Sequence, residues 1–186
     1  MNVKEAINLR RSYRSLIPCE ITKNLIMDLA ECACGAPSCK NSQPWRFIFI
    51  YDREQLDKLM PAINPPNDKW VNNGSMIIAV FSNLEFDCII QERLYYLFDT
   101  GLATAFLILR ATELGLVAHP IAGFEEGKVK KILEIPNMMR VITLIIIGKK
   151  APKVDSSLTQ LMTATEINKP VRLKFREFAY QNKYTS

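Results

Sequence analysis

Between about Asp87 and Leu114 the chain is apolar on every side of a helix, and no other pattern in it limits the fold as much. Leu94, Leu97, Phe98, Leu102, Ala105, Leu109 and Leu116 recur at helical spacing, and Ala103, Phe106, Leu107 and Ile108 fill the remaining circumference. A helix of this kind is expected to be central and covered on most sides. Gly101, Ala103 and Ala105 would let a second helix approach closely, either in another subunit or within the chain. Gly115 suits the residue just past the helix end.

Shorter elements flank this helix. Asn2 with Glu5 has the form of a capping box opening a first helix. Thr22 is placed to cap a second, with Leu25, Ile26, Leu29 and Ala33 on one face and Gly35 just past its end. Phe47–Tyr51 and Met76–Phe81 are strand-like runs. Asp52 begins a helix with Leu56, Leu59, Met60 and Ile63 inward, broken by Pro61, Pro65 and Pro66. Asn64 to Asn73 is expected to be a polar loop. A short helix with Val129, Ile132 and Leu133 precedes a buried strand over Val141–Ile147, stopped by Gly148. Helices between well-separated strands, without strict alternation and without G-x-G-x-x-G, support neither a Rossmann fold nor a P-loop.

A chain of 186 residues is long enough for one domain with a full core. The expected domain is 1–186, with 149–186 an extension whose Leu158, Leu161, Met162, Phe175 and Phe178 pack on its own core or on a second subunit. No apolar run approaches a membrane span, and Met1–Glu5 lacks the apolar core of a secretory signal. Five cysteines, an odd number, argue against a disulfide framework, so small core cysteines in a reducing, cytoplasmic setting are expected. The spacing of Cys32, Cys34 and Cys39 fits no standard zinc pattern, and one histidine leaves a fourth ligand hard to find; no metal site is expected. The net charge of +5 fits a phosphate-bearing partner or a bland basic surface.

Three stretches carry possible binding chemistry. Arg10-Arg11-Ser12-Tyr13-Arg14 offers guanidinium forks suited to phosphate oxygens, although on these residues alone a solvated basic turn is the simpler reading. Ala36 to Phe47 contains two prolines that forbid a continuing helix, with Ser38, Asn41, Ser42 and Gln43 between them. Such a short, stiffened, polar loop suits one wall of a site. Val117 to Phe124 has few side-chain donors, but its small residues permit close backbone approach to a flat ligand. His119 within it is expected to be structural, since no nucleophile motif accompanies it.

In their order and spacing these three blocks resemble the FMN-dependent nitroreductase family. The Ala-Pro-Ser-x-x-Asn-x-Gln-Pro-Trp pattern carries the likeness most strongly; it covers residues 1–150 well and the tail poorly. The resemblance implies an α+β fold, a central, mostly antiparallel sheet flanked by helices, and an intertwined homodimer with FMN at the interface. It implies that Arg10, Ser12 and Arg14 hold the phosphate and ribityl chain, with Arg11 near the polar edge of the ring. Pro37, Ser38, Cys39 and Asn41 would reach the flavin of the other subunit. Pro120, Ile121, Ala122 and Gly123 would lie along the isoalloxazine, and Asn67 would bond its pyrimidine edge. Lys169 is a candidate phosphate contact. Two departures stand out: Trp70, beside Lys69, falls where relatives often have a basic residue, and Asn168 precedes Lys169 where a basic pair is common.

The activity implied is reduction of nitroaromatics, quinones or similar electron-poor acceptors by NADH or NADPH, through a ping-pong hydride cycle on FMN N5, without a catalytic side chain. Other reductive activities on the same scaffold, a flavin-binding protein without turnover, and a nucleic-acid binder are the competing classes. The last lacks a recognised motif, and neither nucleic acid nor membrane is expected as a partner.

Overall fold

The computed structural model describes residues 1–184. The helices are α1 (Val3–Leu9), α2 (Lys23–Cys34), α3 (Arg53–Leu59), α4 (Asp68–Val71), α5 (Tyr95–Glu113), α6 (Glu126–Ile132) and α7 (Gln160–Ile167). The strands are β1 (Leu16–Ile17), β2 (Arg46–Ile50), β3 (Met76–Ser82), β4 (Ile89–Ile90), β5 (Arg93–Leu94), β6 (Val117–Ile121) and β7 (Arg140–Lys150). Both cap assignments hold: Asn2 and Glu5 exchange bonds across the start of α1, and Thr22 accepts from the Leu25 amide.

β7 organises the sheet. It pairs with β3 along one edge and with β6 and then β1 along the other, while β2 completes the far side of β3; every pairing is antiparallel. The period-two alternation of β3 and β7 divides the core. Ile77, Ala79, Leu144 and Ile146 face α3, α4 and α6 through Leu56, Leu59, Trp70 and Val129. Met76, Ile78, Val80, Ile145 and Ile147 face α2 and α5 through Leu29, Ala33, Ala103 and Leu107. Helices cover both faces of β3, so all its residues are buried and its sequence is a continuous apolar run.

Several expectations are corrected. The long helix begins at Tyr95, because Gln91 and Glu92 turn at positive φ and β4 pairs with β5 ahead of it. Nor is α5 covered on most sides within one chain: Leu97, Phe98 and Phe106 are exposed, Phe98 by 62%. β2 is only half-buried, and α2 ends at Gly35 in a right-handed conformation. β7 runs through Gly148 to Lys150, and there a Cβ would stand 3.4 Å from both Ile17 O and Leu16 Cβ. Asn64 to Asn73 is more than a polar loop, since α4 within it buries Trp70 and Val71 completely. In the tail, α7 packs back on the first strand region. Beyond it Val171, Leu173, Phe175 and Phe178 lie exposed, Val171 by 96%. The last two residues of the expected 149–186 extension lie outside the described residues. Among the described residues no helix is long and apolar enough to cross a membrane.

Candidate functional site

The basic segment after α1 is held by α7. Glu166 is 6% exposed and accepts the Arg14 amide at 2.6 Å and the Ser15 amide at 3.3 Å. Arg11 donates to the carbonyls of Thr165 (2.7 Å), Glu166 (3.0 Å) and Asn168 (3.0 Å). These groups end α7, where unpaired carbonyls and the negative end of the helix dipole favour a cation. Arg11, expected near the edge of a ring, thus reaches the end of a helix.

A cavity of about 290 Å³ opens beside this clasp, lined by Arg10, Arg11, Ser12, Arg14, Thr165, Lys169, Pro170 and Arg172. Five of these eight are cationic and none is acidic. Arg10 Nη1 donates to Ser12 Oγ at 3.1 Å, Arg14 Nη1 to Thr165 Oγ1 at 3.2 Å, and Lys169 Nζ to Asn8 O at 3.1 Å. Arg14 Nε is buried without a partner. Burial, and then the charge of Arg172, lower the Arg10 pKa. Like charges gathered in one hollow, with a donor left over, suit an anion with several oxygens.

β6 joins this cavity to the next group. His119 is 6% exposed, its Nδ1 lies 3.0 Å from Tyr13 O, and its ring stacks on Trp70 with centroids 4.6 Å apart. Burial, and then repulsion from Arg14 and Arg10, drive its pKa down to about 4 against the pull of the Tyr13 carbonyl. The ring is therefore neutral at pH 7, and facing a carbonyl it carries its proton on Nδ1. Its role is structural, as expected. Trp70 is likewise a core residue, with Nε1 donating to Asn67 Oδ1 at 3.3 Å, and Lys69 is exposed. Asn67 lies against Gly123, where a Cβ would stand 2.6 Å from its Nδ2; Asn64 N–H donates to Gly123 O at 3.0 Å. Asn67 and the strip from Pro120 to Gly123 therefore meet. The Ile121 side chain belongs to the core below α3 and α6.

The loop after α2 is built differently. Cys39 N–H donates to the buried Asp99 carboxylate at 2.6 Å, Ser42 Oγ to Cys39 O at 2.6 Å, and Gln43 N–H to Ser38 Oγ at 3.0 Å. Lys40, Asn41 and Gln43 all have positive φ, at 52°, 57° and 50°. Cys39 is bonded to Cys88, Cα to Cα 6.1 Å, across 49 residues of sequence. The expectation of free core cysteines fails for this pair, while Cys19 and Cys32 are half-buried and Cys34 is exposed. Pro37, Ser38, Cys39 and Asn41 do not line the cationic cavity of their own chain.

Four contributors escaped the sequence reading: Glu166, Arg172, Asp99 and Cys88. Asp99 left a signal, as an acidic residue inside the apolar run of α5. Arg172 stands in a crowd of basic residues with Lys169, Lys174 and Arg176, whereas Glu166 and Cys88 leave no signal, because their roles depend on which distant segment they meet.

The profile of the Nitroreductase family matches residues 7–70 and 65–149. A nitroreductase family protein from Clostridium novyi NT is 30% identical, with a TM-score of 0.76 over 82% of this chain and 87% of its own. A solved structure described as an oxidoreductase containing FMN is 26% identical, with a TM-score of 0.86 over 100% of this chain and 94% of its own. A Methanothermobacter thermautotrophicus protein, provisionally named an NADH dehydrogenase/NAD(P)H nitroreductase, is 29% identical over 81% of this chain and 78% of its own. This chain belongs to the nitroreductase family.

Proposed function

We propose that this chain is an FMN-dependent oxidoreductase that uses NADH or NADPH to reduce nitroaromatics, quinones or similar electron-poor acceptors. The observation that carries this is the cavity of five cationic side chains with its unpartnered Arg14 Nε. The solved relative described as containing FMN supports the same cofactor here.

The residues fit such a group. Arg10, Ser12, Arg14 and Lys169 would hold the phosphate, and Arg172 joins them. Pro120, Ala122 and Gly123 would lie along the ring, with Asn67 at its edge; the bare Cα of Gly123 lets the Asn67 side chain lie against this strip. When bound, FMN supplies the hydride chemistry, taking two electrons from the nicotinamide and passing them to the acceptor. The protein's task is to bind and orient. Arg11 and Glu166 hold the cradle to α7, and His119 ties the Tyr13 backbone to β6, so the donors are fixed before the ligand arrives.

The site is completed by a second copy in this reading. The uncovered apolar face of α5 and the exposed Val171, Leu173, Phe175 and Phe178 would be buried in a homodimer, with the stretch beyond α7 packing on the other subunit. Pro37, Ser38, Cys39 and Asn41 would then reach the other subunit's flavin. The proposed setting is the cytoplasm. Nucleic acid is not proposed as a partner, because the site's cations converge on one hollow.

Purified protein should be yellow and release FMN on denaturation, and mixing with NADPH or NADH should bleach it. Arg10→Ala should weaken FMN binding about 10- to 100-fold, the loss of one charge-assisted phosphate contact. Ser12→Ala should weaken it less. Unchanged affinity in both variants would remove the phosphate assignment, and a protein that stays colourless with excess FMN would end the flavin reading.

A further inference from the structure

The proposed flavin site does not account for the group of side chains around the Cys39–Cys88 bond. Both cysteines are half-buried, neither sealed in the core nor fully exposed. Asp87 and Asp99 approach from two sides. Asp99, 2% exposed, accepts the Cys39 amide. Asp87 Oδ1 accepts the Cys88 amide at 2.7 Å, while its Oδ2 is buried without a partner. An Asp87 oxygen and the two sulfurs lie within 4.8 Å of one another. Burial first, and then Asp99 against the Cys88 amide, push the Asp87 carboxyl up, as befits two carboxylates that resist ionising together. The arrangement puts two carboxyl groups beside a half-buried sulfur–sulfur bond.

The bond also holds a loop in an unfavourable conformation. Lys40, Asn41 and Gln43 are non-glycine residues in the left-handed region, which each residue adopts only when its surroundings require it. On one side the requirement is met by Asp99 and the Ser38 and Ser42 hydroxyls, and on the other by the covalent link to Cys88.

We propose that Cys39–Cys88 is a thiol–disulfide exchange site, at which low-molecular-weight thiols cut the tether and loosen the wall of the flavin site. The consequence for flavin rests on the reading of Pro37 to Asn41 as that wall; the exchange itself does not. A thiolate attacks Cys39 Sγ, a mixed disulfide forms, and the Cys39–Cys88 bond breaks. Cys88 leaves as a thiolate and is protonated from water. A second thiolate attacks the outer sulfur of the mixed disulfide, releasing the oxidised thiol and a Cys39 thiolate that is protonated from water. The protein disulfide gains two electrons and two protons, and two thiols become one small disulfide.

The test uses full-length protein with glutathione as the thiol and oxidised glutathione as its reverse. Denatured protein should expose three thiols before treatment and five after it, from Cys19, Cys32, Cys34 and the opened pair. The FMN dissociation constant should rise about tenfold on reduction, as when the binding-competent loop falls to a tenth of its population. Oxidised glutathione should restore it. Cys88→Ser should bind FMN as the reduced protein does and ignore glutathione; should it fail to fold, the reversible wild-type titration carries the test. Asp87→Asn, which removes an acidic group beside the sulfurs, should speed attack by the glutathione thiolate and leave flavin affinity of the oxidised form unchanged. Five thiols both before and after oxidised glutathione would overturn the exchange site. Three becoming five with no change in FMN affinity would overturn the gating. If the oxidised form binds no FMN, the flavin reading falls and gating with it, and the thiol count still decides the exchange.

Discussion

The Arg10–Arg14 segment and the Ser38–Gln43 loop are both polar stretches leaving a helix, yet they are held by opposite means. The first is fixed by uncharged backbone and buried partners from far along the chain: a Glu166 carboxylate under two amides, an Arg11 fork on the end of α7, and a neutral His119 on the Tyr13 carbonyl. The second has three residues in a disfavoured backbone region and, beside the Asp99 carboxylate and its own serine hydroxyls, is tied by a covalent bond that the first lacks. A cradle for a phosphate gains from being rigid before the ligand arrives. A wall contributed to another subunit's ligand has less to rest on within its own chain, so a single link carries more of its order.

That contrast can be broken most directly at the link. Cys88→Ser should lower stability by about 4 kcal/mol, the loop-closure entropy released for a bond spanning about 50 residues, measured by urea unfolding. A loss below about 1 kcal/mol would mean that noncovalent contacts hold the loop as firmly as they hold the cradle. On the cradle side, the next effect comes from His119. Its pKa is about 6.5 unfolded and about 4 folded, so the unfolded chain takes up its proton first as pH falls. The contribution is complete above pH 6.5, declines below it, and is gone once pH has dropped through 4; its full size is about 3 kcal/mol. His119→Phe should flatten the stability profile between pH 6.5 and 4 relative to wild type, and parallel profiles would refute the assignment. Glu166→Gln, which leaves the Arg14 and Ser15 amides a weaker acceptor, should cost about 2 kcal/mol by the same unfolding measurement. Lys58→Ala, which removes an exposed ion pair with Glu54 far from both regions, should shift stability by less than about 0.5 kcal/mol and sets the floor for the others.

Much of this architecture could be read from local patterns. Asn2, Thr22 and Asp52 cap helices as their sequence contexts imply, and Met76–Phe81 and Val141–Ile147 are the two central strands. Gly115 ends α5 at φ 74°, in the left-handed conformation that suits glycine there. The start of α5 was misplaced because Ile89, Ile90 and Leu94 fit a helical period as well as a strand, and the hairpin turn uses Gln91 and Glu92 in place of glycine. In the site, Arg10, Ser12, Arg14 and Lys169 meet as their types suggested, and so do Asn67 and Gly123. Arg11 lines the same cavity, but its bonds to α7 could not be read from the sequence, since they end on carbonyls that are in place only once α7 has docked. The Cys39–Cys88 bond was illegible for a related reason: odd cysteine counts describe chemistry on average, whereas pairing depends on which two Cβ atoms the fold brings together.

The stacking of Trp70 on His119 has an optical consequence. The chain has two tryptophans, and they lie in separate halves of the core, Trp45 on the α2 and α5 side and Trp70 on the other. An indole in contact with an imidazole keeps its fluorescence while the imidazole is neutral and loses it to electron transfer once the imidazole gains a proton. In a Trp45→Phe background, emission would therefore serve as a built-in gauge of the hinge between β6 and the arginine segment, dimming as that contact takes on charge.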